Sequence, residues 1–351
     1  MLNIQFKKQM IYSVMVLTVF LLCLGFVNSE DSIYYWDYAF YWFSSNWIAD
    51  GYVNLKHFFI VLRNDDYNFT SVLLQSAFSY ITSTARNIFI LTTVVFYFFP
   101  FCFVFLNLFG EFVKEEKTKM LVFSLIISAT PFIKPILIGY PDIVGLIFVL
   151  LSIILCLKKD LSKIDVKNIV LLGILLYLPF MFRRWFAYTI VSLFLTLPLL
   201  NYFIFERKKD INKFRCFFTI LCSFFMSGLV SMFCAFSLQW GLCRRILGTN
   251  YSDIYSAYRL PLRESLCFVI DSVGLWIVPL VVSAICMLFK KNYIREKVLI
   301  VFSLANFFII LFLFFSTQSP GIQHQQPLAL FIYIISSLGL INIGFFRVFR
   351  G

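Results

Sequence analysis

Ten stretches of almost unbroken apolar residues limit this chain more than any other feature: 11–28, 88–109, 120–138, 141–157, 168–182, 186–205, 214–239, 272–289, 297–316 and 327–346. Each is long enough, or nearly so, to cross about 30 Å of hydrocarbon as a helix rising about 1.5 Å per residue. Apolar residues make up 61% of the 351-residue chain and charged residues only 14%, which leaves too little polar surface to wrap an ordinary globular core. The expected fold is therefore all-α, a polytopic transmembrane bundle of about ten spans in one domain, 1–351. The 46 phenylalanines run through nearly every stretch and read as lipid-facing and interhelical packing.

Orientation follows from the basic residues. Twenty of the 30 lysines and arginines fall at the N-terminus and in alternate connections near 110–119, 158–167, 206–215, 290–297 and 347–351, so positive charge puts both termini in the cytoplasm. The outer loops are then about 29–87, 240–271 and 317–326, and the first of them is expected to contain an interfacial helix. Lys7 and Lys8, the apolar run and Val27-Asn28-Ser29 have the shape of a signal peptide, but read better as a retained anchor. Seven of the nine cysteines lie in or beside apolar runs; Cys243 and Cys267 share an outer loop and read as free thiols. The net charge of +12 flanks the spans, so it points to the lipid bilayer as partner and not to nucleic acid.

Against that orientation, Lys134, Arg183, Arg184, Arg244, Arg245, Arg259 and Arg263 all sit beside outer ends of runs. Arg183-Arg184-Trp185 interrupts an apolar stretch of nearly forty residues, where an arginine at the bilayer centre costs about 2.5–3.5 kcal/mol and one near the surface snorkels far more cheaply. Several guanidiniums converging on one cavity would suit a pyrophosphate, which they grip in bidentate fashion. Facing the same side is Glu30-Asp31-Ser32-Ile33-Tyr34-Tyr35-Trp36-Asp37-Tyr38. Helical spacing puts Glu30, Tyr34, Asp37, Tyr38 and Tyr41 on one face of a helix lying at headgroup level. Asp37, or else Glu30 or Asp31, becomes the candidate general base, with Tyr34 a substrate contact. Asp142, in Gly139-Tyr140-Pro141-Asp142, starts an outer helix end, where the preferred reading is an N-cap and the alternative a substrate contact. His324, among glutamines before the last run, either is satisfied within its loop or contacts a phosphate or sugar. Two sequons, at Asn68 and Asn250, fall on the outer side.

No phosphate-cradling glycine loop, nucleotide fingerprint or convincing Ser/His/Asp pattern occurs, so an activated donor would be lipid-borne. The order of parts resembles the GT-C superfamily of integral-membrane glycosyltransferases: a cytoplasmic N-terminus, one span, a long first outer loop opening on acidic residues, many further helices and outer basic residues. Within it, the chain is similar to bacterial surface-polysaccharide and O-antigen-modifying transferases, with Glu30-Asp31 and Trp36-Asp37-Tyr38 in place of the acidic motif. That resemblance implies an inverting transfer from a polyprenyl-phosphate-linked sugar to a glycan acceptor, on the outer face of a bacterial inner membrane. It also implies that Arg183-Arg184-Trp185 and Gln323-His324-Gln325 contact phosphate and headgroup. A divalent metal bridging carboxylates and phosphate stays open as a cofactor. The competing expectation is a transporter or flippase for a lipid-linked or anionic saccharide, whose sign would be charge at the bilayer midplane in broken helices related by internal repeats, neither of which the sequence shows.

Overall fold

The computed structural model describes residues 2–30, 37–51, 63, 69–113, 115–205, 213–290 and 293–343. All regular structure among them is helical. In chain order the helices are α1 (Leu2–Ser29), α2 (Asp37–Gly51), α3 (Leu73–Ile81), α4 (Arg86–Gly110), α5 (Glu116–Ile127), α6 (Thr130–Ile138), α7 (Ile143–Lys158) and α8 (Val166–Phe182). They continue as α9 (Ala187–Phe205), α10 (Lys213–Leu238), α11 (Trp240–Gly248), α12 (Leu262–Val273), α13 (Val278–Met287), α14 (Ile294–Thr317) and α15 (Gln325–Ile343).

Each of the ten apolar runs falls on a helix or helix pair, but seven of these are long and apolar enough to cross a membrane by themselves. The helices α7 and α8 are shorter, at 16 and 17 residues. The run at 272–289 is not the straight span expected: α12 and the segment Leu275–Met287 meet at a 77° bend. The cause is local. Gly274 takes φ +86, a conformation that side chains disfavour, and Pro279 then pre-sets the start of α13. In α4 the chain passes Pro100 by widening into a π-turn, Val94–Phe98, which relieves the clash a proline ring makes with the preceding turn.

Phenylalanine serves two surfaces. Phe98, Phe101, Phe105, Phe109, Phe123, Phe132 and Phe331 are buried in the shared core. Leu17, Leu21 and Leu22 on α1, with Phe218, Phe225 and Phe233 on α10, stay exposed, as side chains that meet lipid would. Between helices the apolar effect supplies little once lipid is the solvent, so buried hydroxyls and amides act as staples. Ser227 donates to the Ile169 carbonyl (3.0 Å), joining α10 to α8. Asn306 bonds Ser192 (2.6 Å) and Thr196 (2.9 Å), joining α14 to α9. Asn201 donates to the carbonyls of Cys156 (2.7 Å) and Lys159 (2.8 Å) at the end of α7.

The described part of the segment between α1 and α4 is partly folded against the bundle. α3 docks on α4 through Gln75 Nε2 to Thr93 Oγ1 (2.8 Å), and Tyr97 donates to the Ser71 carbonyl (3.1 Å). At the other end of the chain α15 lies so close to α13 that a Cβ on Gly339 would stand 1.8 Å from the Leu280 carbonyl oxygen. Gly339→Val should therefore lower the thermal unfolding midpoint of the detergent-solubilised protein by the equivalent of about 1–3 kcal/mol or more. Gly25→Ala, whose Cβ would meet nothing within 4 Å, should be neutral or gain about 0.5–1 kcal/mol. Equal midpoints for the two variants would contradict this packing.

Candidate functional site

Two short links meet at one end of the bundle. α6 ends at Gly139, whose φ of 115 lets its N–H reach the Ile136 carbonyl and the Tyr140 N–H reach that of Pro135 (both 2.9 Å). This left-handed cap turns the chain sharply into Tyr140-Pro141-Asp142. α8 ends with the Arg183 N–H on the Pro179 carbonyl (2.9 Å), after which Arg183 is extended and a turn, Arg184–Phe186, leads into α9. Asp142 Oδ1 lies 2.6 Å from Arg183 Nε and accepts from the Trp185 indole N–H at 2.8 Å.

The N-cap expected of Asp142 does not form; its side chain makes no capping bond. Asp142 is 0% and Arg183 7% exposed, and a carboxylate so deeply buried needs a cation, which backbone N–H groups do not supply. Burial pushes the Asp142 carboxyl up and the Arg183 guanidinium down. The Trp185 hydrogen bond opposes the first shift, and the negative charge of Asp37 raises the proton affinity of both groups. Asp37 is thus electrostatically coupled to the pair from the exposed first turn of α2, where a helix N-terminus also favours a carboxylate.

Aromatic rings wall the pair. Arg183 stacks over Tyr41 (4.5 Å to the ring centroid), and Tyr41 meets Tyr140 at 6.0 Å. Tyr41 is buried, so it packs against the bundle and does not sit at headgroup level as its spacing suggested. Trp185 stacks on Phe186 (4.2 Å) and touches His324 edge-on (5.1 Å), while Phe314 stacks on His324 at 5.5 Å. His324 Nδ1 accepts from the Gly321 N–H (3.4 Å) and stands 3.5 Å from Gln318 Nε2, the within-loop satisfaction that was one of its two readings. Burial first, then Arg183 and Arg184, push its imidazole down to about 3. Arg184 lies 5.4 Å from the Tyr251 ring centroid and donates to the Tyr255 hydroxyl (3.4 Å), drawing the 240–271 segment over the site.

The remaining sequence candidates scatter. Glu30 is half-buried just past α1, and Asp31 and Tyr34 lie outside the described residues. Lys134 is exposed on α6, Arg244 is exposed and Arg245 half-buried on α11, and no described contact brings Lys134 or Arg244 to the pair. Arg259 is engaged by the protein itself: it donates to Ser252 and to the Ser316 carbonyl (3.2 Å) at the end of α14. Cys243 is buried and Cys267 exposed; Asn250 binds Asp253 Oδ2 (2.7 Å), and Asn68 lies outside the described residues. Sequence reasoning missed Tyr251 and Tyr255 as site residues, although their spacing of four puts them on one helical face, where their rings stack at 5.9 Å. It also missed Gln239, which accepts from Tyr177 (3.2 Å) and donates to the Met181 carbonyl (3.0 Å), to which Thr70 donates as well. The signal was there: one amide closing a long apolar run. Among the described residues no group of three His, Cys, Asp or Glu side chains could hold a metal ion. Compared with family models, with curated proteins and with solved structures, the chain matches none.

Breaking a buried pair from one side leaves a charge without its partner, so Asp142→Leu should destabilise by about 3–5 kcal/mol, while Asp142→Leu with Arg183→Met should recover most of the loss. Thermal unfolding of the purified variants measures this, and a double variant as unstable as the single one would contradict it. For His324 the sign is fixed by linkage. The folded protein holds the ring neutral to about pH 3. An unfolded chain takes up this proton near pH 6.5, so the unfolded state binds more protons in between and stability falls as pH drops through that window. His324→Gln should flatten the fall, as unfolding midpoints between pH 7 and 4 would reveal; an unchanged slope would rule it out.

Proposed function

We propose that the chain is a membrane glycosyltransferase that moves a sugar from a polyprenyl-phosphate donor to a surface-glycan or lipid-linked acceptor. In this reading all ten apolar runs cross the bilayer, both termini are cytoplasmic, and the site faces the periplasmic side of a bacterial inner membrane. The observation that carries the reading is the meeting, at one end of an apolar bundle, of an aromatic-walled arginine pair and an exposed carboxylate, Asp37, coupled to it.

Each group has a separate task. Asp37 takes the proton from the acceptor hydroxyl as its oxygen attacks the anomeric carbon. The bond from that carbon to the phosphate oxygen breaks, and its electron pair leaves with the phosphate. Arg184, beside the Tyr251 ring and the Tyr255 hydroxyl, stabilises the departing charge, while Asp142 holds Arg183 rigidly behind it. A transporter remains the second reading, favoured by the 77° break between α12 and the following segment.

Purified protein, a polyprenyl-phosphate sugar and acceptor, with no gradient present, separate the two: product formation supports the transferase, and movement without chemistry supports the transporter. Asp37→Ala should lower transfer by about 10²–10⁴-fold and Arg184→Gln by about 10²–10³-fold at matched membrane abundance. Full activity in Asp37→Ala, Glu30→Ala and Asp31→Ala alike would remove the proposed base.

A further inference from the structure

Arg244 is an outward arginine that the Asp142–Arg183 site leaves unused. The helix before it, α10, has 26 residues and rises about 39 Å, more than the roughly 30 Å of a hydrocarbon core, so a bilayer-crossing α10 ends at headgroup level. There Gln239 leaves helical geometry, and its side chain pins the corner to the end of α8 through Tyr177 and the Met181 carbonyl. α11 starts at the next residue. Along it Trp240, Arg244 and Leu247 stand four and then three positions apart, which places them within about 60° of one another on one face. All three are exposed, Leu247 at 76% and Trp240 at 47%. Leu242 and Ile246, on the opposite side, are buried and half-buried, so α11 already has its packing face. The exposed face continues the one that α10 turns outward: Phe225, Phe233 and Phe236 are exposed, and the Phe236 ring meets the Trp240 ring at 6.0 Å.

Water suits neither the leucine nor the tryptophan of this face, and hydrocarbon does not suit the guanidinium between them; the headgroup layer suits all three. In that layer the two apolar side chains reach the top of the acyl region, and the arginine stem lies along them with its guanidinium among the phosphates. Charge narrows the partner further. α11 carries Arg244 and Arg245 and no carboxylate, and Arg244 makes no ion pair among the described residues. A second copy meeting this face across a two-fold axis would bring Arg244 towards its own mate, with no acid on α11 to answer the charge. A free polyanion would leave Trp240 and Leu247 in water. We propose that the Trp240–Arg244–Leu247 face of α11 is a docking surface for anionic glycerophospholipid in the adjoining leaflet, with Arg244 on the lipid phosphate. This anchor goes beyond the transferase reading and does not rest on it. It holds the start of the segment whose Tyr251 and Tyr255 contact Arg184.

Tryptophan fluorescence of the full chain in lipid nanodiscs tests the anchor, because the wild-type emission minus that of Trp240→Phe isolates one ring. In discs of phosphatidylcholine brominated high on the acyl chain, this difference should lose about half or more of the intensity it has in unbrominated discs. Leu247→Trp, which keeps every native tryptophan, gives the same reading from the far end of the face: its excess emission over wild type should be quenched as well. Headgroup preference comes from discs of equal parts phosphatidylcholine and phosphatidylglycerol in which only one of the two is brominated. Around Trp240 the anionic lipid should be favoured about fivefold, and Arg244→Gln, read against the Trp240→Phe/Arg244→Gln double variant, should lose most of that preference. Difference emission that brominated lipid leaves untouched at both positions would overturn the inference. So would equal quenching by the two lipids in wild type, or an anionic preference unchanged in Arg244→Gln. A protein that is dimeric in detergent, and that Leu247→Glu converts to monomers, would give the face to a second copy and overturn it too.

Discussion

One buried ion pair organises this end of the molecule. Asp142 and Arg183 stand 2.6 Å apart, almost wholly removed from water, in two links that are 41 residues apart in sequence and adjacent in space. Neither charge is tolerable alone in such surroundings, so the pair fixes the α6–α7 link against the α8–α9 link far more strictly than apolar contact would. Trp185 donates to the carboxylate and also touches His324, while Tyr41 covers the guanidinium, so four separated parts of the chain are located by one pair of charges.

Elsewhere the bundle, seven of whose helices are long and apolar enough to cross a membrane, is joined by directional contacts. Where α8 meets α10, Gly173 admits the Ser227 carbonyl, and a Cβ there would stand 2.6 Å from it. Within α7, Gly145 admits the Phe186 ring, the ring on which Trp185 stacks. Small residues and buried hydroxyls thereby set helix spacing, and helix spacing sets where Trp185 and Arg183 can reach.

The fold was legible in the sequence to the extent that it follows from apolar length. Every run found a helix, because roughly twenty apolar residues have no other way to satisfy their backbone in hydrocarbon. The bend at Gly274 was overlooked because run length records hydrophobicity and not backbone direction. The site was legible in part: the Arg183-Arg184-Trp185 interruption and the Gly139–Asp142 turn were both recognisable as breaks in apolar runs. That they bind each other was not, since nothing in local spacing links residue 142 to residue 183.

By itself, then, the sequence determined that the chain is a helical bundle built for lipid and which polar residues are too costly to be incidental. Tertiary structure decided what those residues do. Asp142 reads locally as a helix cap and becomes the partner of an arginine, Arg259 reads as a ligand contact and becomes a clasp on α14, and Tyr41 moves from the surface to the core. The physical reason is the same in each case: composition fixes the solvent a segment can tolerate, but the partner of a buried charge or hydrogen-bonding group is whichever group the packing of distant helices brings within about 3 Å.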